Sequence, residues 1–184
     1  TAMRCADRGK KVCLIEGRAR NGSGGTCVNR GCIPTKALMA SANLYASIKE
    51  AKAFGINVDM SAVSVDFKAI DKRKNAVING LGFGLEAMLW KKSRGIDVVK
   101  GRATLLDAHT IEVDNGKVKK TVTAENIVVA VGSEPAEIAA FNVDHKKVIT
   151  SNEIMDFSRP LPKSIVIIGS GAIGLEYGHI YNIY

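Results

Sequence analysis

A chain of 184 residues has the size of one domain to one and a half, and its 46% hydrophobic and 24% charged content is that of a soluble globular protein. No apolar run approaches the ~20 residues that a membrane-spanning helix needs, so a membrane role is excluded on this reading. The net charge of +8 is spread over lysines and arginines with acids between them, Lys91, Lys92 and Arg94 forming only a small cluster, which argues for a solvated basic surface and against nucleic-acid binding.

Thr1 to Gly9 reads as the end of a helix already under way, and Tyr184 falls inside another, so the reading expects a piece of a longer chain. Lys11-Val12-Cys13-Leu14-Ile15-Glu16 is predicted to be a buried parallel strand ending in an acid. Such an acid commonly binds ribose hydroxyls in a dinucleotide-binding βαβ unit, although a glutamate at a strand end is by itself more often a loop residue. Cys5 and Cys13, in apolar helix and strand settings, are expected to be buried small hydrophobes.

The run from Gly24 to Lys36 holds Gly24-Gly25-Thr26-Cys27, then Val28-Asn29-Arg30-Gly31, then Cys32-Ile33-Pro34-Thr35-Lys36. Cysteines five apart in an ideal helix would have Cα atoms ~8–9 Å apart, beyond disulfide reach. Bridging them requires an irregular turn, which Asn29 and Gly31 permit. Pro34 suits the first turn of a helix, which sets Cys32 beside a helix N-terminus, where a thiolate is favoured. Cys27 then sits one turn earlier, open to an attacking substrate. Redox exchange is therefore the favoured reading, with Cys27 exchanging and Cys32 holding negative charge. A metal site or two structural cysteines are the alternatives, but zinc sites usually add a second close Cys/His pair, and His109, His145 and His179 are scattered. No metal site is assigned.

Pro34 to Phe54 is expected to be a long helix, and Asp66 to about Lys92 a second, with Gly80, Gly82 and Gly84 inside it marking close packing or a bend. Short strands follow at Asp97–Lys100, Arg102–Leu106, Thr110–Val113 and Val118–Thr123. Asn126 to Ser133 is predicted to be a buried strand running into a tight turn, whose small residues let a cofactor approach the backbone. After a crossover, Ser164 to Ile168 reads as an apolar strand, followed by Gly169-Ser170-Gly171-Ala172-Ile173-Gly174 and a helix beginning Leu175-Glu176-Tyr177. A bare G-x-G-x-x-G is weak, but between an apolar strand and a helix it points to a pyrophosphate bound at a helix N-terminus.

The cysteine run resembles the active-site pattern of the pyridine nucleotide–disulfide oxidoreductases, flavoenzymes that include dihydrolipoamide dehydrogenase, glutathione reductase and mercuric reductase. Ala130-Val131-Gly132-Ser133 is similar to the family's Ala-Thr-Gly-Ser, with Val131 replacing the threonine, and the run from Gly169 to Glu176 is similar to its second glycine motif. The resemblance covers essentially the whole chain. Cys-Val-Asn-Arg-Gly-Cys-Ile-Pro-Thr-Lys is most like the dihydrolipoamide dehydrogenase branch, and Ala172, where glutathione reductases carry an aromatic gate, fits that branch as well.

The resemblance implies an α/β fold: a Rossmann-like FAD-binding domain with a small antiparallel β-meander over residues 1–150, lacking its first glycine turn, and the start of a Rossmann-like NAD-binding domain over 151–184. A C-terminal interface domain would lie outside these residues, in a chain more than twice this length. It implies that Cys27 and Cys32 form the redox disulfide, and that Lys36 and Glu176 pair beside the flavin. FAD contacts would come from Glu16 on the adenosine ribose, Gly24, Gly25, Thr26, Lys36, Ala103 near the adenine, Ala130, Gly132 and Ser133. NAD would lie against Gly169, Gly171, Ala172, Ile173, Gly174 and Glu176. The implied activity is oxidation of dihydrolipoamide to lipoamide with FAD and NAD, serving lipoyl-carrier domains of 2-oxoacid dehydrogenase or glycine-cleavage complexes as a cytoplasmic homodimer. An NADPH-dependent disulfide or mercuric reductase is the alternative within the family, and a third expectation is that these 184 residues alone give no turnover.

Overall fold

Two units of interleaved sequence make up the chain: Thr1–Gly25 with Gly80–Gly132, and Thr26–Asn79 with Ser133–Tyr184. The computed structural model describes residues 1–17, 23–89, 91 and 95–184. Most of the segment Gly17–Ser23, and Lys92 and Arg94 of the basic cluster, thus lie outside the described residues.

The first unit opens with helix α1 (Ala2–Asp7), followed by strand β1 (Val12–Glu16). β1 pairs in parallel with β2 (Ile96–Lys100), Val12 opposite Ile96 and Glu16 opposite Lys100. The ladder continues one step further, because the Gly101 N–H donates to the Glu16 carbonyl at 3.0 Å. Gly101 has φ +156°, and a Cβ there would stand 2.8 Å from the Asp114 carbonyl oxygen. Only glycine therefore lets the chain leave the parallel pair at that point and enter the meander. The meander is β3 (Arg102–Leu105), β4 (Thr110–Asp114) and β5 (Lys119–Thr123), antiparallel with β4 in the centre. Its second hairpin turns on Asn115-Gly116: the Asn115 side chain accepts the N–H groups of Lys117 and Val118 at 2.9 and 2.8 Å, and Gly116 takes a positive φ. Val113 in β4, opposite Ala103, is buried.

The second unit is helical. It contains α2 (Gly25–Arg30) from Thr26 onward, α3 (Cys32–Glu50), the first part of α4 (Phe67–Leu89) and α5 (Ala172–Ile183). Leu38 and Ala42 of α3 meet Tyr177, Ile180 and Ile183 of α5, and Met155 and Phe157 close the cluster. Phe157 is fully buried, edge-on to the Tyr181 ring at 5.4 Å, while Tyr184 meets the edge of Phe67 at 5.2 Å. Asp66 starts α4 by accepting the Ala69 N–H at 3.0 Å. About two turns into α4, the buried Lys74 ammonium bonds the Asp71 carboxylate at 2.5 Å and the Met155 carbonyl at 2.9 Å, and Asp71 also accepts the Phe157 N–H. This network fixes the aromatic plug to the helix without leaving a buried charge alone.

Several expectations are corrected. Residues 126–133 and 164–168 are not strands but irregular chain, and Val131 and Val166 are 86% and 89% exposed. Both runs have strand composition, but a strand exists only through a ladder, and neither belongs to a sheet among the described residues. β1 is half-buried with Cys13 exposed, and Cys5 is only partly covered, so neither cysteine is a core residue. Gly80 and Gly84 do not mark close packing, since a Cβ at either would meet open space, and α4 runs through all three glycines. Among the described residues no helix is long and apolar enough to cross a membrane.

Candidate active site

The dithiol lies where α2 stops and α3 starts. Gly31 is the break: it caps α3 with φ −139° and ψ −109°, and a Cβ there would stand 3.0 Å from the Thr26 carbonyl oxygen. The close return that this permits shortens the helical spacing between the cysteines. Their thiols become hydrogen-bond partners, and the Cys32 backbone N–H also reaches the Cys27 sulfur. Both cysteines are free thiols and exposed. The Cys27 thiol is pushed above its ordinary value, first by the hydrogen bond to the Cys32 sulfur, then by partial burial and the Cys32 charge, against the opposing pull of the Cys32 N–H. The Cys32 sulfur, for its part, stands at the N-terminus of α3, where the helix dipole favours negative charge. Among the described residues no group of three or more His, Cys, Asp or Glu is placed to hold a metal.

One turn along α3, the Lys36 ammonium bonds the Glu176 carboxylate of α5. The neighbouring residues pair too: the buried Thr35 and Tyr177 hydroxyls are 3.2 Å apart, and Thr35 donates to the Gly31 carbonyl at 2.7 Å. Burial pushes the Tyr177 hydroxyl up. The dithiol turn, the α3 N-terminus and the second residue pair are therefore joined by one hydrogen-bonded line.

The glycine motif leads directly into α5. Gly169 has φ +105°, Gly171 caps the helix, and a Cβ on Gly174 would stand 2.4 Å from the Gly169 carbonyl oxygen and 3.1 Å from Ile167. Gly174 thus seats the helix on the preceding segment, while Gly169 and Gly171 leave open space before the helix N-terminus, with Ala172 and Ile173 forming its first turn. This arrangement fits a dinucleotide pyrophosphate. In the first unit, Glu16 ends β1 and reaches the β2–β3 junction through Gly101, two residues before Ala103. Gly24 and Gly25 both have positive φ, as does Gly132, where a Cβ would meet nothing within 4 Å. Ala130 lies on exposed irregular chain two residues earlier.

One feature of the site had no signal in the sequence. The Arg30 guanidinium grips Glu134 with two bonds, of 2.5 and 2.7 Å, and donates to the Ser133 carbonyl at 2.9 Å. The partners are 104 residues apart and neither lies in a position that charge pattern singles out.

A dithiol split across a helix break, a lysine–glutamate pair and a glycine-rich helix start thus occur together in one α/β chain. The chain belongs to the pyridine nucleotide-disulphide oxidoreductase family, whose model matches residues 1–184. In sequence it is similar to the dihydrolipoyl dehydrogenase of Bacillus subtilis, 36% identical over 180 residues, and to that of Chlorobaculum parvum, 39% identical over 182 residues. Each comparison covers 98% of this chain but only 38% and 37% of the relative, so the chain spans a little over a third of the length of these curated relatives. In structure it is similar to the HOCl-induced flavoprotein disulfide reductase RclA from Escherichia coli, with a TM-score of 0.74 and 26% identity over 99% of this chain and 36% of that one.

Proposed function

We propose that this chain carries the dithiol half-site of an FAD-dependent dihydrolipoamide dehydrogenase that passes electrons to NAD. The observation that carries the reading is the Cys27–Cys32 thiol contact across the Gly31 break. In the oxidised protein, a thiolate of dihydrolipoamide would attack the Cys27 sulfur, breaking the Cys27–Cys32 bond and releasing Cys32 as thiolate. The second substrate thiol loses its proton and attacks the substrate sulfur of the mixed disulfide. Lipoamide forms and Cys27 leaves, taking up one proton. Two electrons have then moved from substrate to the dithiol. A bound flavin would supply the acceptor that reoxidises the pair, and NAD the final hydride acceptor.

On this reading residues 1–150 belong to the flavin domain and residues 151–184 begin the nucleotide domain. Glu16, Gly24, Gly25, Thr26, Ala103, Ala130, Gly132 and Ser133 would hold the flavin, and the run from Gly169 to Gly174 the NAD. Lys36 and Glu176 would orient the reacting ends of both. Lipoyl-carrier domains are the partners and a homodimer the working state. A cytoplasmic setting suits a dithiol that must cycle rather than stay oxidised.

The test is an anaerobic visible spectrum of the whole protein titrated with dihydrolipoamide and, separately, with NADPH. A long-wavelength band raised by dihydrolipoamide and lost in Cys32→Ser supports the assignment. Reduction by NADPH without any response to dihydrolipoamide would move the protein to the disulfide or mercuric reductases. A colourless whole protein would remove the flavin from the reading.

A further inference from the structure

We propose that Tyr177 is a positioning residue for the dithiol: acting through Thr35, its hydroxyl holds the Gly31–Cys32 peptide in the orientation that donates the Cys32 N–H to the Cys27 sulfur. The proposal rests on reading Cys27 as the exchanging sulfur.

Thr35 and Tyr177 are 4% and 2% exposed, so each hydroxyl must find its partner inside the protein. A hydroxyl has one proton to give. At Thr35 it goes to the Gly31 carbonyl, a pure acceptor 2.7 Å away, so across the longer contact of 3.2 Å Tyr177 donates and Thr35 accepts. A helical threonine divides between two rotamers, of which one sets Oγ1 against the carbonyl four residues back. Tyr177, reaching over from α5, holds Thr35 in that one. The Gly31 carbonyl also takes the Thr35 N–H at 3.1 Å, so both of its lone pairs are engaged. A peptide unit is planar, with its C=O and N–H pointing opposite ways. Fixing the Gly31 carbonyl therefore aims the Cys32 N–H, which reaches the Cys27 sulfur and pulls that thiol's value down. The ψ of Gly31, −109°, is the torsion about which this plane would otherwise turn. A tyrosine on the helix that follows the glycine motif thus sets how readily Cys27 becomes a thiolate.

The test is the pH profile of Cys27 alkylation by iodoacetamide in the reduced whole protein carrying Cys32→Ala, which leaves one thiol of the pair and keeps the backbone N–H of residue 32. Cys27 is read on the tryptic peptide of residues 21–30, which holds no other cysteine. Tyr177→Phe and Thr35→Val should each move the midpoint upward by roughly half a unit, because a weakened N–H bond stabilises the thiolate less. The double variant should shift no further than Thr35→Val alone, and Thr35→Ser, which keeps the hydroxyl, should stay at the midpoint of the Cys32→Ala parent. The charges near this line, Arg30 on α2 and the Lys36–Glu176 pair, are the same in every variant. Burial pushes the Tyr177 hydroxyl above its ordinary value, so it stays neutral through the midpoint. Ile180→Val, a loss of packing in the buried cluster that also holds Tyr177, should leave the midpoint where it is. Unchanged midpoints in Tyr177→Phe and Thr35→Val, or an equal shift in Thr35→Ser or in Ile180→Val, overturn the proposal. If Tyr177→Phe fails to fold, Thr35→Val against Thr35→Ser still decides. Alkylation uses neither dihydrolipoamide nor NAD. A shifted midpoint in a protein whose flavin ignores dihydrolipoamide would keep Tyr177 in this role and remove the lipoamide reading, and an unshifted one in a protein that answers dihydrolipoamide would do the reverse.

Discussion

Lys36 and Glu176 meet across the α3–α5 seam, one residue along from the buried contact of Thr35 with Tyr177. The same two helix turns thus present an ion pair at the surface and a hydroxyl pair inside it. Lys36 is 58% exposed, so the ion pair is worth at most about 1 kcal/mol to the fold. The buried hydroxyls, once unpartnered, cost about 1–3 kcal/mol. Thr35→Val should therefore lower the urea midpoint clearly, whereas Glu176→Gln should leave it nearly unchanged while slowing flavin reduction at least tenfold. Equal stability losses in the two variants would contradict this division of labour.

Gly174 and Gly171 should separate in the same way. A Cβ at Gly174 collides with the Gly169 carbonyl at 2.4 Å, whereas Gly171, at φ −71°, has open space. Gly174→Ala should cost about 1–3 kcal/mol by overpacking. Gly171→Ala should change thermal unfolding little and weaken only dinucleotide binding. Thermal melts of both variants, with and without NADH, decide the matter.

The Asp71–Lys74 pair is the buried electrostatic element of the helical unit, its side chains only 13% and 6% exposed. Lys74→Met leaves the Asp71 carboxylate and the Met155 carbonyl without their cation, at a cost of about 3–5 kcal/mol. Asp71→Asn, which can still accept the Phe157 N–H, should cost less. Chemical denaturation of the two variants should rank them in that order.

For the dithiol the prediction concerns pH. The raised Cys27 value depends on Cys32, whose sulfur hydrogen bond and charge both favour protonated Cys27. Removing the Cys32 sulfur removes both effects, so in Cys32→Ser the alkylation of Cys27 should reach half its limiting rate at lower pH than in the wild type. The stability that accompanies a raised value is complete below the ordinary thiol value of about 8.5 and is lost as pH rises through the folded one. The wild type should accordingly lose more stability than Cys32→Ser above pH ~9. A profile shifted upward in the variant would contradict the part Cys32 plays in raising Cys27.

What could be read from residues alone was whatever short-range chemistry decides. The helix around Pro34, the meander from Arg102 to Thr123 and the helix closing the glycine motif follow from local backbone preference and periodicity and are present, although α3 starts two residues before Pro34 and gives way to a 3-10 turn at Ala51, and α5 starts at Ala172 rather than Leu175. The cysteine spacing demanded a break, and Gly31 supplies it. Where the reading failed, a nonlocal partner was required: Val128, Val129 and the isoleucines from 165 to 168 have strand composition, but the ladder that makes a strand cannot be inferred from the segment itself. Gly80 and Gly84 differ from expectation for the same reason, since close packing needs a neighbour and a Cβ at either meets none among the described residues.

The sequence by itself determined the type of chemistry, because a dithiol motif, a lysine and a glycine-rich helix start each require particular residues at particular spacings. Only the tertiary structure decided which charges meet. Lys36 with Glu176, Arg30 with Glu134 and Lys74 with Asp71 and the Met155 carbonyl are made by packing helices and returning loops into one place. Coulomb and hydrogen-bond energies fall off over a few ångströms of space and take no account of separation along the chain.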